Sequence, residues 1–268
     1  MMLDGEFQQV ARDAVAPVIA FCQQPCGFLP RRFLVAKIDR ARQLQAEIGG
    51  RIVFFLHDAD HDLRESRTPL RNRHTGHLTP LAMEVGDKIE RKYTPLSHKR
   101  LAPGWQSRMA RSLPAYLPDH LVDMFATTDG ETVADFCLDA WRRLGVLDGI
   151  EIVRASDPAV RRAACEIADR YVDLPWGGTL VRARLVGGRP RLHAGGDHWI
   201  DLPPTPFTAE QISPARDDRF RWMQSVIACT HYVAGASERD YLQPADTAEV
   251  IVIDRDQIGD AHAAWVPD

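Results

Sequence analysis

Residues 17–62, PVIAFCQQPCGFLPRRFLVAKIDRARQLQAEIGGRIVFFLHDADHD, decide the fold. The near-continuous apolar run over 14–21 has the composition of a strand buried on both faces, with Pro17 near its start, where a missing N–H is tolerated. A polar turn, CQQPCG, follows. Phe28, Phe33, Ile38, Leu44 and Ile48, with Ala36 and Ala41 between them, then draw the apolar stripe of an amphipathic helix that Gly49-Gly50 ends. Residues 51–56, RIVFFL, form a second buried strand. Strand, helix and strand in this order predict a βαβ unit with parallel strands and a right-handed crossover. In such sheets ligands collect beyond the carboxyl ends of the strands, and both polar clusters of this stretch fall there.

Outward from this unit the chain repeats the pattern. Residues 63–118 are rich in proline and basic side chains and weak in periodicity, which predicts a long loop excursion that serves as a lid or binding segment. Asp119 opens a short helix to 126, and Thr132 or Asp129 opens another that Gly145 ends after 144. Residues 150–154 make a third strand, and Ser156-Asp157-Pro158 starts a helix over 159–172. Alternation around Gly187-Gly188 predicts a small antiparallel insertion over about 176–206. Thr208 caps a polar helical stretch to 217, residues 224–234 make another core strand, GASERDYL starts a helix, and 249–253 are a last strand. The whole is an α/β layer fold in one domain over 1–268.

With 268 residues, 45% of them hydrophobic, the chain buries a substantial core without staples. The formal charge of -4, with Lys and Arg dispersed, argues against a nucleic-acid surface and leaves a small polar metabolite as the expected partner. Five scattered cysteines without a CxxC pair suggest neither a disulfide framework nor a zinc finger, so a reduced, cytoplasmic setting is expected. No apolar run approaches the roughly 20 residues that span a bilayer, and no secretory leader is expected at the N-terminus.

Five clusters carry candidate chemistry. The turn Cys22-Gln23-Gln24-Pro25-Cys26-Gly27 feeds a helix start, a ready site for phosphate or carboxylate, with two amides to add. Residues 57–62, HDADHD, put five ionisable groups in six residues directly after an apolar strand, where unpaired burial is costly. They form a divalent-metal site on His57, Asp58, Asp60 and His61, or a general base, His61 oriented by Asp60 or Asp62, or a capping cluster at the sheet edge. His74-Thr75-Gly76-His77 has the HxGH spacing of nucleotidylyltransferases but lacks the strand and helix that give the motif its mechanism. Basic residues Lys99, Arg100, Arg108 and Arg111 suit a phosphate clamp or a solvated face. In the late turn Gly235 permits the bend, Ser237 caps, and Glu238 sits at a helix start within reach of a substrate ammonium. His231, in an apolar strand, is read as a core histidine.

These residues resemble the bacillithiol biosynthesis cysteine-adding enzymes (cysteine ligases), which join cysteine to the amine of glucosaminyl malate. That family's GQQ-type turn, glycine-led helix with a lysine, and EDHD cluster are similar to Gln23-Gln24, Gly27, Lys37 and Asp60-His61-Asp62. LGVLDGIEIVRASDPAVRR resembles the family's strand and DP-led helix at Asp157 and Pro158. Arg219, Met223-Gln224 and YVAGASERDY resemble its arginine segment and AGPGEINY turn, keeping Gly235, Glu238 and Tyr241. Cys22 stands in place of a glycine, Ala59 of a glutamate, and Ala236 and Ser237 of the late turn's proline and glycine. The chain reads as a shortened member without the family's C-terminal coiled coil, which leaves the oligomeric state open.

The resemblance implies a Rossmann-like, nucleotidylyltransferase-like parallel sheet with flanking helices, the antiparallel segment being a small β-hairpin appendage. It implies a carbon–nitrogen ligase or aminoacyl-transfer enzyme joining a cysteine-like amino acid to a small-molecule amine. Making an amide at neutral pH requires an activated acyl donor, so ATP or an acyl-adenylate is the expected cosubstrate. Asp60, His61 and Asp62 are then catalytic, and Gln23, Gln24, Gly27, Lys37, Arg219, Gly235, Ser237, Glu238 and Tyr241 bind substrate or nucleotide. The alternatives are a metal-assisted hydrolase on the 57–62 cluster and a non-catalytic relative that binds a small molecule.

Overall fold

Strands whose interiors are apolar on both faces have to be covered from both sides, and β1 (Val18–Gln23) and β2 (Arg51–Leu56) are the paired centre of such a sheet. The computed structural model describes residues 16–72 and 74–267, so Ala14 and Val15 of the expected first strand lie outside them. α1 (Arg32–Ile48) connects β1 to β2, and β5 (Ile150–Arg154), β11 (His231–Ala234) and β12 (Ile251–Asp254) complete an all-parallel sheet in the order β12-β11-β1-β2-β5. This is the expected α/β, Rossmann-like architecture.

Alternation along the strands divides the core in two. Ile19, Phe21, Ile52, Phe54 and Leu56 face α1 and α5 (Val133–Arg143), where Trp141 is fully buried. Ala20, Cys22, Val53 and Phe55 face the other way, against Phe220, Trp222 and Met223 of α7 (Arg219–Ile227). Local signals set the ends as expected in several places. The Thr132 hydroxyl accepts from Asp135 N to cap α5, and the Asp157 carboxylate accepts from Ala159 N ahead of Pro158.

The excursion over 63–118 is more ordered than its prolines suggest. It carries the hairpin β3 (Thr68–Arg71) and β4 (Leu78–Leu81), then α2 (Lys88–Tyr93) and α3 (Trp105–Ala110), ahead of α4 (Asp119–Thr127). Leu70, Leu96, Trp105 and Leu117 insert into the core, so sparse apolar residues anchor a segment that lacks a period. His74 to His77 form the exposed tip of the β3–β4 hairpin, where Asn72 Oδ1 accepts from His74 N and Thr75 N. That tip borders neither of the cavities described below.

Four expected elements differ. The helix after Pro158, α6 (Pro158–Ala163), stops after six residues instead of running to 172, because 170–176 pairs as β6 (Arg170–Trp176) with β7 (Thr179–Val186). With β8 (Arg189–Gly195), β9 (His198–Asp201) and β10 (Ile212–Pro214), these form a five-stranded antiparallel sheet in the order β10-β6-β7-β8-β9, wider than the insertion expected over 176–206. Thr208 does cap, but only a three-residue turn, Ala209–Gln211, before β10. The stretch 224–234 is not one strand: α7 runs through its first half and ends at Ala228 in the left-handed region, φ 49°, before β11.

Candidate functional site

The connection from β1 leads to β2 on one side while β11 flanks the other, so the strand order reverses between β1 and β11. At such a switch point the loops leaving the two strands diverge and open a crevice. A cavity of about 360 Å³ lies there, lined by Gln23 and Gln24 after β1, His57 after β2, and Gly235, Ser237 and Glu238 after β11, with Lys37, Arg219 and Tyr241. A second cavity of about 810 Å³ adjoins it, between the β2 loop, α2 and the antiparallel sheet; Asp60, His61 and Asp62 line it. Gln24, Glu65 and Arg219 belong to both walls. The two loops that the sequence separates by more than thirty residues therefore meet in one place.

The partition is built on Asp60. Its Oδ2 accepts from Gln24 Nε2 and from the Arg219 guanidinium, and its Oδ1 accepts from His61 N at 2.6 Å and Asp62 N at 3.2 Å. Arg182, from β7, stands 3.6 Å away. Burial by itself raises this carboxyl, but Arg219 and then Arg182 outweigh it and hold Asp60 far below the usual carboxylate range. Asp60 is thus an anchor for two guanidiniums, not a free base.

His61 is neutral. Burial, and then the charge of Arg182, lower its pKa to about 4. Arg182 Nη1 lies 3.3 Å from Nδ1, and a guanidinium only donates, so Nδ1 accepts and the proton sits on Nε2. With that tautomer Nδ1 is engaged by Arg182, and a general base on this ring would have to act through another atom. His57, packed edge-on against Phe55, is also held well below its ordinary value, by burial and then by Arg219. An imidazole NMR titration is expected to show a midpoint near 4 for His61. A midpoint near the ordinary 6.5 would remove this assignment.

Lys37, only 2% exposed, places Nζ 2.7 Å from Glu238 Oε2 and donates to Cys22 O at 2.8 Å. Glu238 also accepts from Gly235 N, so it ties the one-turn helix α8 (Ala236–Arg239) to α1 instead of offering a free carboxylate to an ammonium. Gly235, not Ser237, is the N-cap residue, and Ser237 faces the cavity exposed. Burial raises the Tyr241 phenol and pushes the Cys22 thiol far up, which makes Cys22 unsuited to nucleophilic work.

Two expected placements are corrected. Gly27 lines neither cavity. It is a packing glycine at φ +104°, where a Cβ would lie 2.6 Å from Thr68 Oγ1, and its carbonyl accepts from Trp141 Nε1. The helix that was to present N–H groups to phosphate begins at Arg32, past Pro30, and its first donors are taken: Arg32 N bonds Ala263 O and Phe33 N bonds Ala261 O. The four-residue metal set also fails to converge. Both Asp58 oxygens are held by Arg154 and Ser156, and Asp60 is turned to Arg219. Among the described residues no group of three His, Cys, Asp or Glu side chains is placed to hold an ion.

Arg182 and Tyr171, which the sequence did not single out for chemistry, and Lys99, which it offered for a phosphate clamp, complete the site. Arg182 lies over the Tyr171 ring at 3.8 Å, and both come from the antiparallel sheet. Lys99, fully buried and lowered to about 8 by burial, donates to His61 O at 2.6 Å and so holds the 57–62 loop from behind. No described helix is long and apolar enough to cross a membrane. A scan of protein-family models and a search of curated proteins find no match to the chain.

Proposed function

We propose that the chain is an amide-forming ligase that joins the activated carboxylate of an amino acid, cysteine-like in the resemblance, to a small-molecule amine. The observation that carries this reading is the pair of adjoining cavities with a shared wall at the strand-order switch. Two hollows that meet at Gln24 and Arg219 suit a reaction between two bound molecules better than hydrolysis of one. The amine nitrogen attacks the acyl carbon, the bond from that carbon to the phosphate oxygen breaks, and the phosphate departs with the electron pair. The surplus proton leaves to solvent.

In this scheme His61 donates its Nε2–H to the acyl oxygen as negative charge develops there, while Arg219 and Gln24, fixed by Asp60, orient the reactants. Catalysis then comes from placed donors and position. The test is product mass: the full chain with ATP, cysteine and a panel of amino sugars should yield a species equal to acid plus amine less water. His61→Ala should lower turnover by about 100-fold, the loss typical of one such donor. No amide from any pair, or near-normal turnover in both His61→Ala and Gln24→Ala, would overturn the proposal.

A further inference from the structure

The larger cavity has a charge imbalance that its own carboxylates do not relieve. Eight arginine and lysine side chains line it against Asp60, Asp62 and Glu65. Each of those acids already has a partner: Asp60 is held by Arg219 and Arg182, Asp62 by Arg64 at 2.9 Å, and Glu65 by Arg31 at 3.4 Å. Arg67, Lys88 and Arg91 border the same space and make no ion pair among the described residues. Like charges gathered around one hollow repel each other, and an anionic guest relieves that repulsion.

The floor is built, not incidental. Arg182 is 5% exposed and is fixed by Tyr171 beneath it, by Ser213 Oγ at 3.0 Å and by Pro214 O at 2.7 Å. His61 lines the same space, with Nδ1 3.3 Å from Arg182 Nη1. The cations come from separate elements: the loop before β3, helix α2, strand β7 and the start of α7. A single carboxylate satisfies one such group. A chain of phosphates carries several charges at intervals and matches the arginine fork.

We infer that the 810 Å³ cavity binds a polyphosphate group, the phosphate chain of a nucleotide or its diphosphate product. The start of α1, where phosphate was expected, is closed to that group by the carbonyls of Ala261 and Ala263. The role of the nucleotide rests on the ligase reading, but the binding of the anion does not.

Inorganic tripolyphosphate, titrated calorimetrically into the full chain at low salt, is the direct probe. Binding should weaken as salt rises and should be about tenfold or more weaker in Arg67→Glu/Lys88→Glu. Both of those side chains are exposed, so the fold should survive the change, with an unaltered melting temperature as the check. Arg189→Glu, exposed and outside the cavity, should bind like the unaltered chain. Absence of binding, equal binding by the doubly reversed variant, or stronger binding of citrate than of tripolyphosphate would each overturn the inference. Tripolyphosphate binding with this variant pattern, in a chain that forms no amide, would keep the anion site and remove the ligase reading.

Discussion

Lys37→Met is expected to cost about 3–5 kcal/mol of stability, the usual penalty for breaking a buried ion pair from one side. The ammonium is sealed between β1 and the β11 turn, 2% exposed, and it satisfies both Glu238 and the carbonyl of Cys22. Methionine fills much the same volume but leaves the Glu238 carboxylate, among the described residues, with Gly235 N and the Tyr232 hydroxyl, the latter at 3.4 Å. The double variant Lys37→Met/Glu238→Gln removes the stranded charge and should recover a large part of the loss. Urea midpoints of the four chains give the coupling directly. A Lys37→Met chain within about 1 kcal/mol of the parent would show that the pair is not the clamp described here.

The opening βαβ unit was legible because its signals are local. VIAFC and RIVFFL have no polar face, and Gly49 takes the positive φ that ends α1. The same holds for Thr132 and Asp157, whose caps depend on three or four neighbouring residues. Misreadings fall where long-range pairing decides. RYVDLPW becomes a strand because it finds TLVRARLV of β7 to pair with, and nothing within 159–172 announces that partner. QSVIACTHYVA splits between helix and strand at Ala228, which adopts a left-handed turn without glycine.

The candidate site divides along the same line. Gln24, His57 and Asp60 follow strand ends, where a parallel sheet gathers its loops, so their meeting could be anticipated. Arg182 could not be found that way. It alternates with Val181 and Ala183, which points it away from that small core, a position that ordinarily faces water. Only the docking of the antiparallel sheet against the 57–62 loop buries it beside Asp60. The roles of the motif residues shifted for a related reason: sequence singles out Glu238, Asp60 and His61 but is silent on which cation each has already engaged.

Asp60→Ala should dismantle this arrangement, with a loss of about 3–5 kcal/mol and collapse of the wall between the cavities. Arg219 and Arg182 would both remain buried without their carboxylate, and the backbone of His61 and Asp62 would lose its acceptor. The pH dependence separates this group from its neighbours. Asp60 is depressed in the folded chain, so its contribution is complete above the ordinary carboxyl value of 3.8 and is lost as pH falls below it. His57 and His61 are also lowered by folding, from 6.5; the unfolded chain then binds more protons, and stability falls as pH drops from 6.5 toward about 4. Urea midpoints across this range should therefore show two acid-side losses in the parent chain. The Asp60→Ala chain should keep the loss that buried His57 causes and should fall less steeply than the parent below pH 4, where Asp62 and Asp139, also held below the ordinary carboxyl value, still contribute. Parallel curves for the two chains down to pH 3 would mean that Asp60 does not carry the charge balance of the site.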